Sequence, residues 1–212
     1  MADVTESMVR GALDALALGD RKQLTAVKNL DTVLDRLNGS IKAYLTGLDP
    51  DSLDDQDNRR LGDILAFITN LEHAGDIVEK SLMALAAKRI KRGVSFAEES
   101  REEIREMVDR LISNARAAAA VFMTEDPRAA RRLLGEKEVF REIELRAADV
   151  HFGPARSARV EGIEMSKLLL DIMRDLKRVN AHLAAAAYPI LEGRGELLPS
   201  RLRQDMSGVG GC

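Results

Sequence analysis

Four carboxylates, arranged as two pairs, are the residues of this chain best placed to do chemistry. Asp31 and Asp35 stand four residues apart, and so do Glu72 and Asp76. On an α-helix that separation is about one turn, so the members of each pair stack on one edge roughly 6 Å apart along the axis. Like charges so close disfavour each other's ionised form unless water, a cation or a basic side chain neutralises them. Two neighbouring antiparallel helices pack about 8–10 Å apart, which lets the two pairs converge into a patch of four carboxylates. Oxygen-only donors suit hard cations such as Mg, Ca, Mn or an Fe(III)-type ion, rather than a zinc site built on Cys and His. The plainer alternative is a solvated acidic edge, with Lys28 three residues before Asp31 and Lys80 four residues after Asp76 as surface partners. His73, His151 and His182 have no mutual spacing that makes a metal triad, and His73 lies about 100° round the helix from Glu72.

The element that must carry Glu72 and Asp76 is Leu61–Met83. Its apolar residues Leu61, Leu65, Ile68, Leu71, Val78 and Leu82 fall at three-and-four spacing and make a core seam. Asp31 and Asp35 lie on a helix from about Arg21 to Leu45, with a stripe at Leu24, Val27, Leu30, Leu34, Leu37, Ile41 and Leu45. A shorter helix, Val4–Leu18, precedes it and stops at Gly19, where Asp20 caps the next. The acidic stretch Asp51–Asp57 reads as a loop or a single turn, and Gly93 closes the third helix behind the basic residues Lys88, Arg89, Lys91 and Arg92. That basic cluster either complements a helix C-terminus or meets an anionic membrane face or transporter loop.

Beyond it, Ser95 and Glu98 carry a capping-box signature for a fourth helix, Phe96 to about Met123. Asp126-Pro127 starts a fifth that runs to around Phe152, where Gly153-Pro154 breaks it. A sixth runs from about Val160 to Leu191. The pattern predicts an all-α protein of six long helices in two tandem three-helix bundles, residues 1–94 and 95–192, related by an approximate repeat and followed by a flexible tail, 193–212.

Composition supports that class. Of 212 residues, 45% are apolar and 32% charged, while aromatics are only 3% and Trp is absent, so strand-forming runs are scarce. The net charge of −3 and the dispersal of basic residues give nucleic acid no footing. Cys212 is the single cysteine, which rules out an intrachain disulfide and, with no signal peptide visible, suggests a cytosolic chain. No phosphate-cradling Gly-rich loop is present, and no Glu has a His three residues later, as a ferritin-like oxidase requires.

The segment Asn70–Asp76, set in repeated three-helix units, resembles the PhoU family, whose bundle helices carry Glu/Asp-x-x-x-Asp motifs. Asp171–Leu191, DIMRDLKRVNAHLAAAAYPIL, and Leu134–Phe140, LGEKEVF, are similar to the cytosolic PhoU-like domain that follows the membrane part of bacterial sodium-dependent phosphate cotransporters. The resemblance implies a non-enzymatic regulatory domain of phosphate uptake, cytoplasmic and tethered to or docked on the inner face of the membrane. It also implies a membrane-embedded transporter domain as partner, and a homodimer is compatible with it. For the site it implies metal binding by Asp31, Asp35, Glu72 and Asp76, with phosphate engaged through the cation. In the second repeat Glu138 and Glu142 remain, whereas Lys177 and Ala181 stand where Glu72 and Asp76 would be. Lys177, helped by Arg146, is therefore expected to form an ion pair with Glu138 and Glu142 in place of a metal. A free-standing cytosolic regulator and a metal-free scaffold or oligomerisation module stay open as alternatives.

Overall fold

Helix signals in the sequence become helices throughout the computed structural model, which describes residues 1–49, 53–152 and 160–197; side chains at 151–152 and 160–163 fall outside that description. Among the described residues there is no strand. Helix α1 (Ala2–Leu13) passes into a π-helical turn, Asp14–Leu18, and ends at Gly19 with φ 75°. Helix α2 (Arg21–Thr46) begins at Asp20, whose carboxylate accepts the Lys22 N–H. Helix α3 (Asp55–Asp76) starts six residues before Leu61 and absorbs part of the acidic stretch read as a loop. The reason is local: Asp54 and Asp57 form a reciprocal capping box that satisfies the first free N–H groups.

Past Asp76 the chain widens into a second π-helical segment, Ile77–Leu82, and continues as α4 (Met83–Arg92), stopped by Gly93 at φ 65°. Helix α5 (Glu98–Thr124) follows. Its N-cap is Ala97, with no side-chain bond, so the Ser95/Glu98 capping box does not form and Glu98 pairs with Arg101 instead. Asp126 caps α6 (Pro127–Phe152) by accepting from the Arg128 and Ala129 N–H groups at 3.0 and 3.2 Å. Helix α7 (Val160–Ala184) tightens into a 3₁₀ turn, Ala185–Ala187, and resumes as the short α8 (Tyr188–Glu192), with Pro189 in its first turn. The expected break at Gly153-Pro154 and the tail beyond residue 197 lie outside the described residues. The first tail residues are tied down, because Arg131 donates two bonds to the Glu196 carboxylate at 2.6 and 2.7 Å.

The six long helical rods form two sets of three: α1, α2 and α3–α4, then α5, α6 and α7. The expected boundary at 94/95 falls in the loop between α4 and α5, but the apolar core runs across it from Met8, Leu34 and Leu71 to Ile104, Phe140 and Leu176. Helix α1 packs on α5 and α3 packs on α7, so each set covers the other's open side. Polar links reinforce both seams. Arg116 on α5 makes a bidentate pair with Glu6 on α1 at 2.7 and 2.8 Å, and Phe67 stacks on Phe122 at 4.3 Å.

Candidate functional site

The approach of α2 to α3 is set by one missing side chain. A Cβ on Gly75 would lie 2.4 Å from the Leu34 methyl group Cδ2 and 3.4 Å from Met8, both fully buried. Only glycine lets the two helices come this close. Asp35 follows Leu34 on α2 and Asp76 follows Gly75 on α3, so the contact that closes the core also presses the acidic edges together.

Electrostatics record that meeting. The Asp31 carboxyl is pushed up from 3.8 to about 6, first by burial, then by the negative charges of Asp35, Asp76 and Glu79. Three of the four acids singled out from spacing therefore act on one another across the helix pair. Lys80 answers them. Its ammonium sits 2.6 Å from Asp76 and is held charged above its ordinary range by that bond, and further by Asp31 and Glu72. Glu79 was missed from sequence. It stands three residues after Asp76, a spacing that could have flagged it, and lies in the π-helical segment that also carries Lys80.

As a donor set these oxygens fit a hard cation, which would offset the repulsion that, after burial, raises the Asp31 pKa. Among the described residues, though, no three acidic, His or Cys side chains stand in ligating position round a common point. A cation at this edge requires Lys80 to swing off Asp76 and the carboxylates to turn inward.

The second half arranges its charges differently. Lys177 pairs with Glu144, not with Glu138 and Glu142 as expected. On α6 the buried Phe140 marks the core side, and Glu144 lies about one turn past it. Glu138 and Glu142 lie two residues before and after Phe140, on the opposite face, where both are exposed and Glu138 is taken by Arg141. A four-residue spacing is satisfied equally by a solvent face and by a seam edge. Helix α7 holds a further acidic pair, Asp171 and Asp175, each bound at 2.9 Å by the arginine three residues on, Arg174 and Arg178. Asp175 is buried.

Between the halves, His182 Nδ1 lies 3.0 Å from Asn70 Oδ1, and its ring meets that of His73 edge to face at 5.3 Å. Burial, then the neighbouring His73, hold the His182 pKa below the usual histidine range. Sequence spacing could not join these residues, because α3 and α7 meet only in the fold. His73 also lies 3.6 Å from Glu72.

Comparison with known proteins agrees with this architecture. Residues 1–83 match the family model for the PhoU domain. Over 192 residues, 91% of its length, the chain is 32% identical to a Salmonella typhimurium protein named "Putative inorganic phosphate export protein YjbB". It is 30% identical over the same length to the like-named protein of Escherichia coli K12. The chain spans about a third, 35%, of the length of these curated relatives. In three dimensions it superposes on the crystal structure of PhoU from Pseudomonas aeruginosa with a TM-score of 0.79 at 18% identity, covering 92% of each chain. Residues 1–83 are thus similar to the PhoU domain, and over 92% of its length the chain shares the fold of PhoU.

Proposed function

We propose that this chain is a non-enzymatic regulatory domain of a membrane phosphate transporter, working on the cytoplasmic side as part of the transporter or docked to it. The observation that carries the reading is the alignment of nearly the whole chain with about a third of relatives named for phosphate export, joined to the PhoU fold. Among the described residues no helix is long and apolar enough to cross a membrane, so any membrane step belongs to other segments or a partner. A sodium-dependent cotransporter is the transporter type that the sequence resemblance favours; the relatives' name favours export over uptake as the direction.

The regulatory input at the first half is a hard cation (Mg, Mn, Ca or Fe(III)) held by Asp31, Asp35, Glu72 and Asp76. Bound there, it would supply positive charge in place of Lys80. The chain's own part is to hold α2 and α3 close through Gly75 and to move Lys80 aside. The test is radiolabelled phosphate flux in cells making the transporter with this chain, against cells whose gene lacks this chain's coding segment. A change in flux or in its response to phosphate supply is expected; identical flux under both conditions would sink the reading. Elemental analysis of the purified chain and of Glu72→Ala/Asp76→Ala tests the cation separately, with loss of metal in the variant expected.

A further inference from the structure

The basic cluster Lys88–Arg92, read from sequence as helix-terminal charge or as a contact for an anionic membrane face or transporter loop, contains one arginine that is buried. Arg89 occupies an inward position of α4 beside Ala86, and only 5% of its surface is exposed. Its Nη1 donates to the Val94 carbonyl at 3.3 Å and its guanidinium lies 5.6 Å from the Phe96 ring centre, but Nε has no partner among the described residues. No carboxylate among the described residues pairs with it. The neighbouring charge that acts on it, Arg101, has the same sign and, after burial, further weakens its hold on the proton. A largely buried guanidinium without a carboxylate partner is an arrangement that folded proteins rarely keep, because its desolvation is not offset by an opposite charge.

Arg89 lines a solvent-open cavity of about 530 Å³ between the end of the first π-helical turn, the end of α4 and the start of α5. Arg101 and Arg105 form its wall, and Glu98, the one acid there among the described residues, is already paired with Arg101. Gly19 keeps it open: a Cβ at that position would stand 2.8 Å from Arg89 Nη2. We propose that this cavity binds a phosphate-class oxyanion, with Arg89 gripping it from the floor and Arg101 and Arg105 from the wall. Guanidinium groups present paired N–H donors that match the oxygens of a phosphate, and a dianion would neutralise the two unbalanced charges of the cavity. Phosphate as the oxyanion rests on the proposed role in phosphate transport; the need for an anion rests on Arg89 alone. Unlike the acidic edge of α2 and α3, this site engages phosphate without a metal.

The experiment is calorimetric titration of inorganic phosphate into the purified 212-residue chain with EDTA present, at neutral pH and fixed ionic strength. One-to-one binding is expected, weakened about tenfold or more in Arg101→Gln/Arg105→Gln and lost in Arg89→Met. Phosphate should raise the thermal midpoint of the wild type and not that of Arg89→Met. Should Arg89→Met fail to fold, the wall variant decides alone. A second arm adds sedimentation with phosphatidylglycerol vesicles. Vesicle binding that the wall variant loses and free phosphate competes away assigns the site to a lipid headgroup, while phosphate heat without vesicle binding assigns it to the free ion. Neither kind of binding, binding untouched by the wall variant, or phosphate binding that appears only without EDTA would overturn the proposal. Failure here with flux regulation intact leaves the proposed function standing; intact phosphate binding without flux regulation leaves this site standing.

Discussion

The two halves of the molecule repeat a scaffold but balance their acids in opposite ways. In the first, Asp31, Glu72 and Asp76 share one exposed ammonium, Lys80, and burial followed by the neighbouring carboxylates raises the pKa of Asp31. In the second, Glu144, Asp171 and Asp175 each have their own cation, Lys177, Arg174 and Arg178. A seam whose charges are closed one to one holds its geometry and has little to gain from a ligand. A seam left short of positive charge is where a cation can enter with a favourable free energy. The same contrast recurs with reversed sign at Arg89, a positive group short of a negative one.

The largest expected break in this comparison comes from glycine. Gly75→Ala should cost about 1–3 kcal/mol in urea unfolding, because the new methyl meets Leu34, and Asp31 should titrate nearer its ordinary value as the helices part. Gly135→Ala on α6, where nothing lies within 4 Å of the added Cβ, should gain roughly 0.5–1 kcal/mol from helix propensity. Next is Lys177→Met, which strands the half-buried Glu144 and should cost about 1 kcal/mol, recovered when Glu144→Gln is added. Glu138→Gln/Glu142→Gln should stay within about 0.5 kcal/mol of wild type and leave metal content unchanged.

Asp31 sharpens the comparison through pH. Its folded pKa, about 6, lies above the ordinary 3.8, so the folded state binds the extra proton. Stability from this group is greatest below pH 3.8 and declines as pH rises through about 6. Asp31→Asn should therefore stabilise the protein at neutral pH, by about 1 kcal/mol once solvent screening is allowed for, and lose that advantage at low pH. Glu6, lowered to about 2 by Arg116, runs the other way: its contribution is present above its ordinary 4.5 and disappears as pH falls through 2. The smallest stability effect is expected from Lys80→Met, since Lys80 is exposed. Its readout is composition and titration: higher metal content by elemental analysis and a still higher Asp31 pKa by NMR.

Much of this was legible in the chain. Three-and-four spacing located the six long rods, and Gly19 and Gly93 marked two helix ends that the structure places in the left-handed region. At the acidic edge, the charges of Asp35 and Asp76, two of the four acids picked by spacing, act on Asp31. What failed was pairing across helices. Lys177 was assigned to Glu138 and Glu142 because spacing along α6 says nothing about which edge faces α7. Lys80 pairs with Asp76 as its four-residue spacing predicts, whereas Glu79, in the π-helical segment, was not singled out.

Local patterning, then, determined the helices, their approximate ends and the edges on which charge would gather, since those depend on residues within a turn or two of each other. Tertiary packing alone decided which edges meet, that Lys80 acts on Asp31 as well as on Asp76, that His182 reaches Asn70 and His73, and that Arg89 is buried with no carboxylate partner among the described residues. Each of those pairings joins separate rods or passes through a π-helical turn. A helix's own periodicity carries no information about its neighbour's rotation, which is fixed only when both apolar stripes are buried together.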